Sequence, residues 1–223
     1  PHKRAKLCAL AETEDAIMEE RICGLIVAAG LSSRMGCFKP LLPLRGKTVI
    51  ENTIDSMLLC GISPVVVVLG YRGREVEAVL HSRYLAGTVI PVYNRDFAST
   101  DMLASIQLGA AALPPCSAFF LMPGDMPVVT KETFLTVCRA RSGGVPSITF
   151  PTLDGYRKHP PLIDCAFIPG ICSYQGSDGL RGFWRLHEDA IATVPVDDAG
   201  CWTDLDTYEQ YRACLQRVGS EPA

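Results

Sequence analysis

Short unbroken apolar runs alternate along this chain with segments whose apolar positions return every three or four residues. Cys23–Ala28, Val65–Leu69, Val89–Tyr93 and Ala118–Met122 are runs of the first kind. Such continuity suits strands buried on both faces of a parallel sheet. Val49–Cys60 carries Ile50, Ile54, Met57 and Leu58 at helical spacing, with Gly61 as a stop. Gly73–His81 turns Val76, Val79 and Leu80 to one side, and Asp101–Leu113 carries Met102, Ile106 and Leu113 ahead of Pro114-Pro115. Lys131–Arg141 is a further expected helix.

Beyond residue 145 the rhythm loosens. Ser147–Pro151, Pro161–Ile163 and Ile191–Pro195 read as strands, Gly179–His187 as a short helix and Thr207–Gln216 as a closing one. Alternating strand and helix units predict an α/β fold, a Rossmann-like doubly wound and mostly parallel sheet with helices on both faces. The second half adds strands at one end of that sheet. The expected division is an extension or linker over residues 1–22, one domain over 23–216 and a tail over 217–223.

Composition narrows the function classes. The chain has 223 residues, 48% hydrophobic and 20% charged, enough for a core without staples and unlike a disordered chain. Its formal charge of −3 and lack of basic clusters argue against nucleic acid. No apolar stretch reaches the roughly 18 residues of a membrane span, and the basic start, Pro1 to Lys6, lacks the apolar segment of an export signal. The ten cysteines form no CxxC and no Cys/His cluster, so free thiols in a reducing cytoplasm are expected.

Ligands of such sheets bind beyond the carboxyl ends of the strands, and three segments fall there. Ala28-Ala-Gly-Leu-Ser-Ser-Arg-Met-Gly-Cys-Phe-Lys39 follows the first strand. Gly30 and Gly36 permit close backbone approach, Ser32 and Ser33 add hydroxyls, and Arg34 and Lys39 add cations, a loop suited to a triphosphate. Its spacing is neither that of a P-loop nor GxGxxG. The plainer alternative is a flexible turn with solvated cations. Asp125, in Pro123-Gly-Asp-Met-Pro127, stands where a Mg²⁺ ligand would, or simply makes a turn. In Asp204-Leu-Asp206-Thr-Tyr-Glu209, Asp206 or Thr207 can cap the last helix, with Glu209 completing a capping box, or one aspartate turns inward as a second metal ligand.

These residues resemble the MobA-like nucleotidyltransferases. AAGLSSRMGCFKPLLPLRGKTVIENTI, PGDMP and DLDTYEQY carry the resemblance, which runs from about residue 23 to 216. Asn94 to Ala98, Lys158-His-Pro-Pro161 and Asp178-Gly-Leu-Arg181 point to the MocA type, the molybdenum cofactor cytidylyltransferases. The resemblance implies the fold of the nucleotide-diphospho-sugar transferases and transfer of a nucleotidyl group from an NTP, CTP by preference, to the phosphate of molybdopterin. It implies Mg²⁺ at Asp125 and Asp206, base and ribose on the backbone of Ala28, Ala29 and Gly30, and triphosphate on Arg34 and Lys39. Molybdoenzyme maturation proteins would be its macromolecular partners.

The acceptor is expected on the second half. His159, in Arg157-Lys-His159, either faces the acceptor's phosphate or pterin or belongs to an exposed basic turn, and Arg181 is its expected companion. Lys158 stands where many members carry glycine, and Asp101, the expected cap of the third helix, stands near the nucleotide side. A nucleotidyltransferase for a sugar or polyol phosphate, or a regulatory domain that binds nucleotide without turnover, fits the same nucleotide loop.

Overall fold

A computed structural model describes residues 20–31, 35–141, 144–203 and 205–219. Residues 1–19 of the expected extension, Ser32, Ser33, Arg34 and Asp204 thus lie outside the described residues.

The continuous apolar runs become the inner strands. β1 (Ile22–Ala28), β4 (Val65–Leu69), β5 (Val89–Tyr93) and β6 (Ala118–Pro123) pair in parallel, with β1 between β4 and β6. A short hairpin, β2 (Pro43–Leu44) and β3 (Lys47–Thr48), leads into α1 (Val49–Leu58). Helices α2 (Gly73–Arg83), α3 (Met102–Ala111) and α4 (Lys131–Ala140) link the strands that follow. The second half supplies β7 (Ile148–Leu153), β8 (Tyr156–Arg157), β9 (Leu162–Asp164), α5 (Ile168–Ser173), α6 (Gly179–Leu186), β10 (Ile191–Pro195) and α7 (Tyr208–Gly219). The sheet order is β10-β7-β9-β6-β1-β4-β5, with β8 on β7. β9 runs against both β6 and β7, and β8 against β7; the other six strands share one direction.

Alternation along β1 explains the two layers. Ile22 and Ile26 pack with Ile50, Ile54 and Met57 of α1, Val76 and Leu80 of α2, and Phe134 of α4. Cys23 and Leu25 face the other way, to Ile106 and Ala110 of α3, Ile171 of α5 and Phe183 of α6. A third cluster, Leu44, Val49, Leu205, Tyr211 and Cys214, seats α7 on the hairpin. Among the described residues no helix is long and apolar enough to cross a membrane.

Winding passes from β1 outward to β5 and returns to β6 on the opposite side of β1. The crevice at the carboxyl ends of β1 and β6 is therefore the topological switch point. The caps agree with the residue types. Thr48 and Glu51 form a capping box on α1, and Asp101 caps α3 by accepting from the Ala104 N–H at 3.0 Å.

The last helix decides between the two expected caps and corrects the residue that completes the box. Thr207, not Asp206, opens α7: its Oγ1 accepts from the Gln210 N–H at 3.2 Å, while Gln210 Oε1 accepts from the Thr207 N–H at 2.7 Å. Gln210 rather than Glu209 completes the box, and the carboxylate of Asp206 is turned to a different partner.

Candidate functional site

A cleft of about 470 Å³ opens at the switch point. The end of β1 and the turn beyond it, Val27 to Gly30, make one wall, and Pro123, Gly124 and Asp125 at the end of β6 make another. Two glycines allow these segments to close up. A Cβ on Gly124 would stand 2.9 Å from Ala28 Cβ, and one on Gly70, just past β4, would stand 2.4 Å from the Ala29 carbonyl oxygen.

Lys39 enters from a single 3₁₀ turn, Lys39–Leu41, that Pro40 stiffens. Its Nζ donates to Asp125 Oδ2 at 3.0 Å and to Asp206 Oδ1 at 2.7 Å. The lysine side chain is only 10% exposed, against 22% for Asp125 and 40% for Asp206. Burial pulls the ammonium's pKa down, but the hydrogen bonds and charges of Asp206 and Asp125 together outweigh it and hold the pKa above the ordinary lysine value. Lys39 is thus a fixed cation between two carboxylates from distant parts of the chain. The Leu205 N–H, donating to the Asp125 carbonyl at 3.4 Å, ties the two carboxylate-bearing segments together.

The donor set fits a divalent ion of the magnesium kind. Two carboxylate oxygens converge on one cation position, and Mg²⁺ typically takes one or two carboxylates, keeps several waters and completes its shell with substrate phosphates. Among the described residues no group of three or more His, Cys, Asp and Glu gathers as a closed metal cage would require.

The remaining wall contains Asp101, expected near the nucleotide side, and Phe97 of the Asn94–Ala98 segment, but Met102 and Ser105 were not expected there. Phe97, Thr100, Asp101, Met102 and Ser105 line it, between β5 and the first turn of α3. Buried Asn94 organises this loop, donating from Nδ2 to Thr100 Oγ1 at 3.0 Å and Ser105 Oγ at 2.9 Å and accepting from the Asp96 N–H at 3.0 Å. The signal was present: β5 ends at Tyr93, and the rule that located Asp125 at the end of β6 applies equally there.

Residues 24–192 match the MobA-like NTP transferase domain. The chain belongs to that family. It is 36% identical over 197 residues to a molybdenum cofactor cytidylyltransferase of Escherichia coli K12, covering 86% of this chain and 95% of the relative. It is 31% identical over 196 residues to a nicotine blue oxidoreductase of Paenarthrobacter nicotinovorans, covering 85% and 94%. Among solved structures, Rv0371c of Mycobacterium tuberculosis H37Rv superposes with a TM-score of 0.71 at 27% identity, covering 88% of this chain and 97% of that one. A second structure of that protein is a complex with manganese. The chain is a nucleotidyltransferase of the MobA-like type, and its mostly parallel sheet is the one these transferases share.

In this MobA-like transferase the expected residues divide into groups. Ala28, Ala29, Gly30, Lys39, Asp125 and Asp206 come together at the cleft. Arg34, Ser32 and Ser33 lie outside the described residues. His159 does not line the cleft. Its half-buried ring sits behind β6, with Nδ1 3.3 Å from the Leu121 carbonyl oxygen. Burial pushes the imidazole's pKa below the ordinary histidine value, with the Leu121 carbonyl and the charge of Asp125 pulling only partly back. An exposed basic turn therefore describes this histidine poorly. Its neighbours are engaged as well: Arg157 pairs with Glu188, and the Lys158 ammonium lies over the Trp202 ring, 3.2 Å from its centroid. Arg181 is exposed on α6 and is not among the residues lining the cleft.

Proposed function

We propose that this enzyme transfers CMP from CTP to the terminal phosphate of molybdopterin, with release of pyrophosphate. The observation that carries the reading is the position of Lys39 between Asp125 and Asp206 at the mouth of a nucleotide-sized cleft. The E. coli cytidylyltransferase, similar over nearly its whole length, supports CTP and a molybdopterin acceptor.

In this reaction an oxygen of the acceptor phosphate bonds to the α-phosphorus of CTP, and the bond from that phosphorus to the bridging oxygen breaks. Pyrophosphate leaves with the electron pair. The nucleophile is already anionic, so no general base is needed, and the protein's work is positioning and charge neutralisation. The backbone of Ala28, Ala29 and Gly30 holds base and ribose against the wall formed by Thr100, Asp101, Met102 and Ser105. Lys39 faces the triphosphate and meets the charge that grows on the leaving group, and by the family resemblance Arg34 of the same loop adds a second cation. Asp125 and Asp206 would hold Mg²⁺, which when bound supplies further neutralisation of the phosphate oxygens. His159, fixed on the Leu121 carbonyl behind the cleft lining, would act on the acceptor side through the end of β6 rather than by lining the cleft.

The test is pyrophosphate release from each of the four NTPs, offered with molybdopterin and with common sugar phosphates. CTP with molybdopterin is expected to dominate. Preference for a sugar phosphate, or nucleotide binding without pyrophosphate, would replace this reading.

A further inference from the structure

An exposed tryptophan, four residues before Asp206 in the chain, carries a lysine ammonium over its ring. Trp202 is 60% exposed and its neighbour Tyr156 67% exposed. The Lys158 Nζ stands 3.2 Å from the Trp202 ring centroid and 5.7 Å from that of Tyr156. Tyrosine and tryptophan, with an apolar body and a polar tip, are enriched where a protein surface binds something.

The platform beneath Trp202 is built rigidly. It ends the turn Ala199–Trp202, which Asp198 caps by accepting from the Gly200 N–H at 2.8 Å. The Asp198 carboxylate is buried and also accepts from the Thr130 N–H at 2.8 Å, Thr130 Oγ1 at 2.9 Å and Thr133 Oγ1 at 2.7 Å. The loop across from it is fixed too: the Lys158 N–H donates to the Pro151 carbonyl at 2.8 Å. Four hydrogen bonds on one buried carboxylate fix the turn that ends at Trp202, while the side chain itself stays mostly exposed around the Lys158 ammonium.

Both halves of the pair connect to the reaction centre. Lys158 precedes His159, whose Nδ1 stands 3.3 Å from the carbonyl oxygen of Leu121 on β6, four residues before Asp125. Trp202 lies four residues before Asp206, on the segment that Leu205 ties to Asp125. The patch thus adjoins along the chain both segments that carry the carboxylates, the end of β6 and the stretch from Trp202 to Asp206. An acceptor reaching the α-phosphorus with its phosphate would lay the rest of its body here.

We propose that Trp202 and Lys158 form the acceptor subsite, where the indole stacks the planar heteroaromatic ring of a phosphate-bearing acceptor and the ammonium pairs with its negative charge. The proposal rests on the molybdopterin reading, since the pyrimidine ring of that pterin is planar and aromatic and the pterin is carried on a phosphate ester. Stacking on an aromatic side chain is tolerant of ring identity and strong enough to select a flat acceptor over a saturated one. The ammonium needs no partner to wait for the ligand, because the indole face holds it meanwhile.

The experiment uses the full chain. Trp202→Ala and Lys158→Ala are each expected to raise the KM for molybdopterin about tenfold, with the KM for CTP within about twofold of wild type. Trp202→Phe, which keeps a ring, restores most of the acceptor affinity. A second readout is independent of turnover. Molybdopterin should quench tryptophan emission of the wild-type protein but not of Trp202→Ala, whose remaining tryptophan, Trp184, packs against Phe150 and Phe183. Glucose 1-phosphate should leave the emission unchanged. An unaltered acceptor KM in both alanine variants, an equal loss for CTP, or the same quenching in Trp202→Ala overturns the subsite. If wild type releases no pyrophosphate with molybdopterin while Trp202-dependent quenching persists, the functional reading fails and the ring subsite stands.

Discussion

Replacing Lys39 by methionine is expected to separate two properties that usually fall together: metal affinity should rise while turnover collapses. The lysine holds Asp125 at 3.0 Å and Asp206 at 2.7 Å. Without the ammonium, two carboxylates at most about 5.7 Å apart repel by about 0.7 kcal/mol at the dielectric of water and about 3 kcal/mol at an effective dielectric near 20. Asp206 is 40% exposed and Asp125 22%, which sets the repulsion at about 1–2 kcal/mol. A divalent ion relieves that repulsion and no longer has to displace the ammonium, so affinity in the absence of nucleotide should rise about five- to thirtyfold. Turnover should fall roughly 10²–10³-fold, the usual cost of removing one donor to charge developing in the transition state. Mn²⁺ titration followed by the paramagnetic resonance of the free ion, beside pyrophosphate release and circular dichroism, measures all three quantities. A folded Lys39→Met protein that binds Mn²⁺ no more tightly than wild type, or turns over near the wild-type rate, would refute the reasoning.

Three further outcomes follow from the same geometry. Asp125→Asn should impair metal-dependent turnover more than Asp206→Asn, because Asp125 is the better buried and follows directly on an inner strand; equal losses across a Mg²⁺ series would contradict the ranking. His159 has a folded pKa below its ordinary value of 6.5, so as pH falls through that value the unfolded chain takes up the proton first and stability declines; urea midpoints from pH 7.5 to 5 should fall more steeply for wild type than for His159→Asn, and equal slopes would count against it. At the opposite end of β6, Arg141 donates from Nε to buried Asp164 at 2.8 Å; Arg141→Met strands that carboxylate and should cost about 3 kcal/mol in denaturant unfolding with the KM for CTP unchanged, whereas a cost under about 1 kcal/mol would mean that Asp164 is satisfied by Ser147 alone.

Whatever repeats within a few residues was legible in the sequence. β1, β4, β5 and β6 are read directly because strands buried on both faces must be continuously apolar, and α1 to α4 because their apolar positions recur at helical spacing. The β2–β3 hairpin escaped because two residues a strand carry no period. In α5, Pro169 and Gly170 look like breakers, yet a proline fits a helix's first turn. The sequence left the cap of α7 open between Asp206 and Thr207 and pointed to Glu209 for the box; the structure pairs Thr207 with Gln210, while the Asp206 carboxylate is drawn to the distant Lys39. That convergence was itself out of reach of local pattern. Lys39 lies 86 residues from Asp125 and 167 from Asp206, and the strand-end rule predicts only that such loops meet, not which atoms do.

Likeness alone leaves the reaction less determined than the fold. One relative covering most of this chain is named a cytidylyltransferase and another an oxidoreductase, so the sheet and its nucleotide cleft sit beneath more than one chemistry. What favours nucleotidyl transfer is a specific charge arrangement. Pyrophosphate departure concentrates negative charge at one end of the cleft, and a buried lysine held between two carboxylates offers both a cation for that charge and, once the lysine moves to it, two oxygens for a metal. A hydride moving between carbon centres creates no such charge there and gains nothing from that pair. The Lys39 and Asp125 variants therefore bear on the class of reaction, while the Trp202 and Lys158 variants bear on the acceptor. Finding normal transfer without the first pair would move the argument from the cleft's charges to its shape.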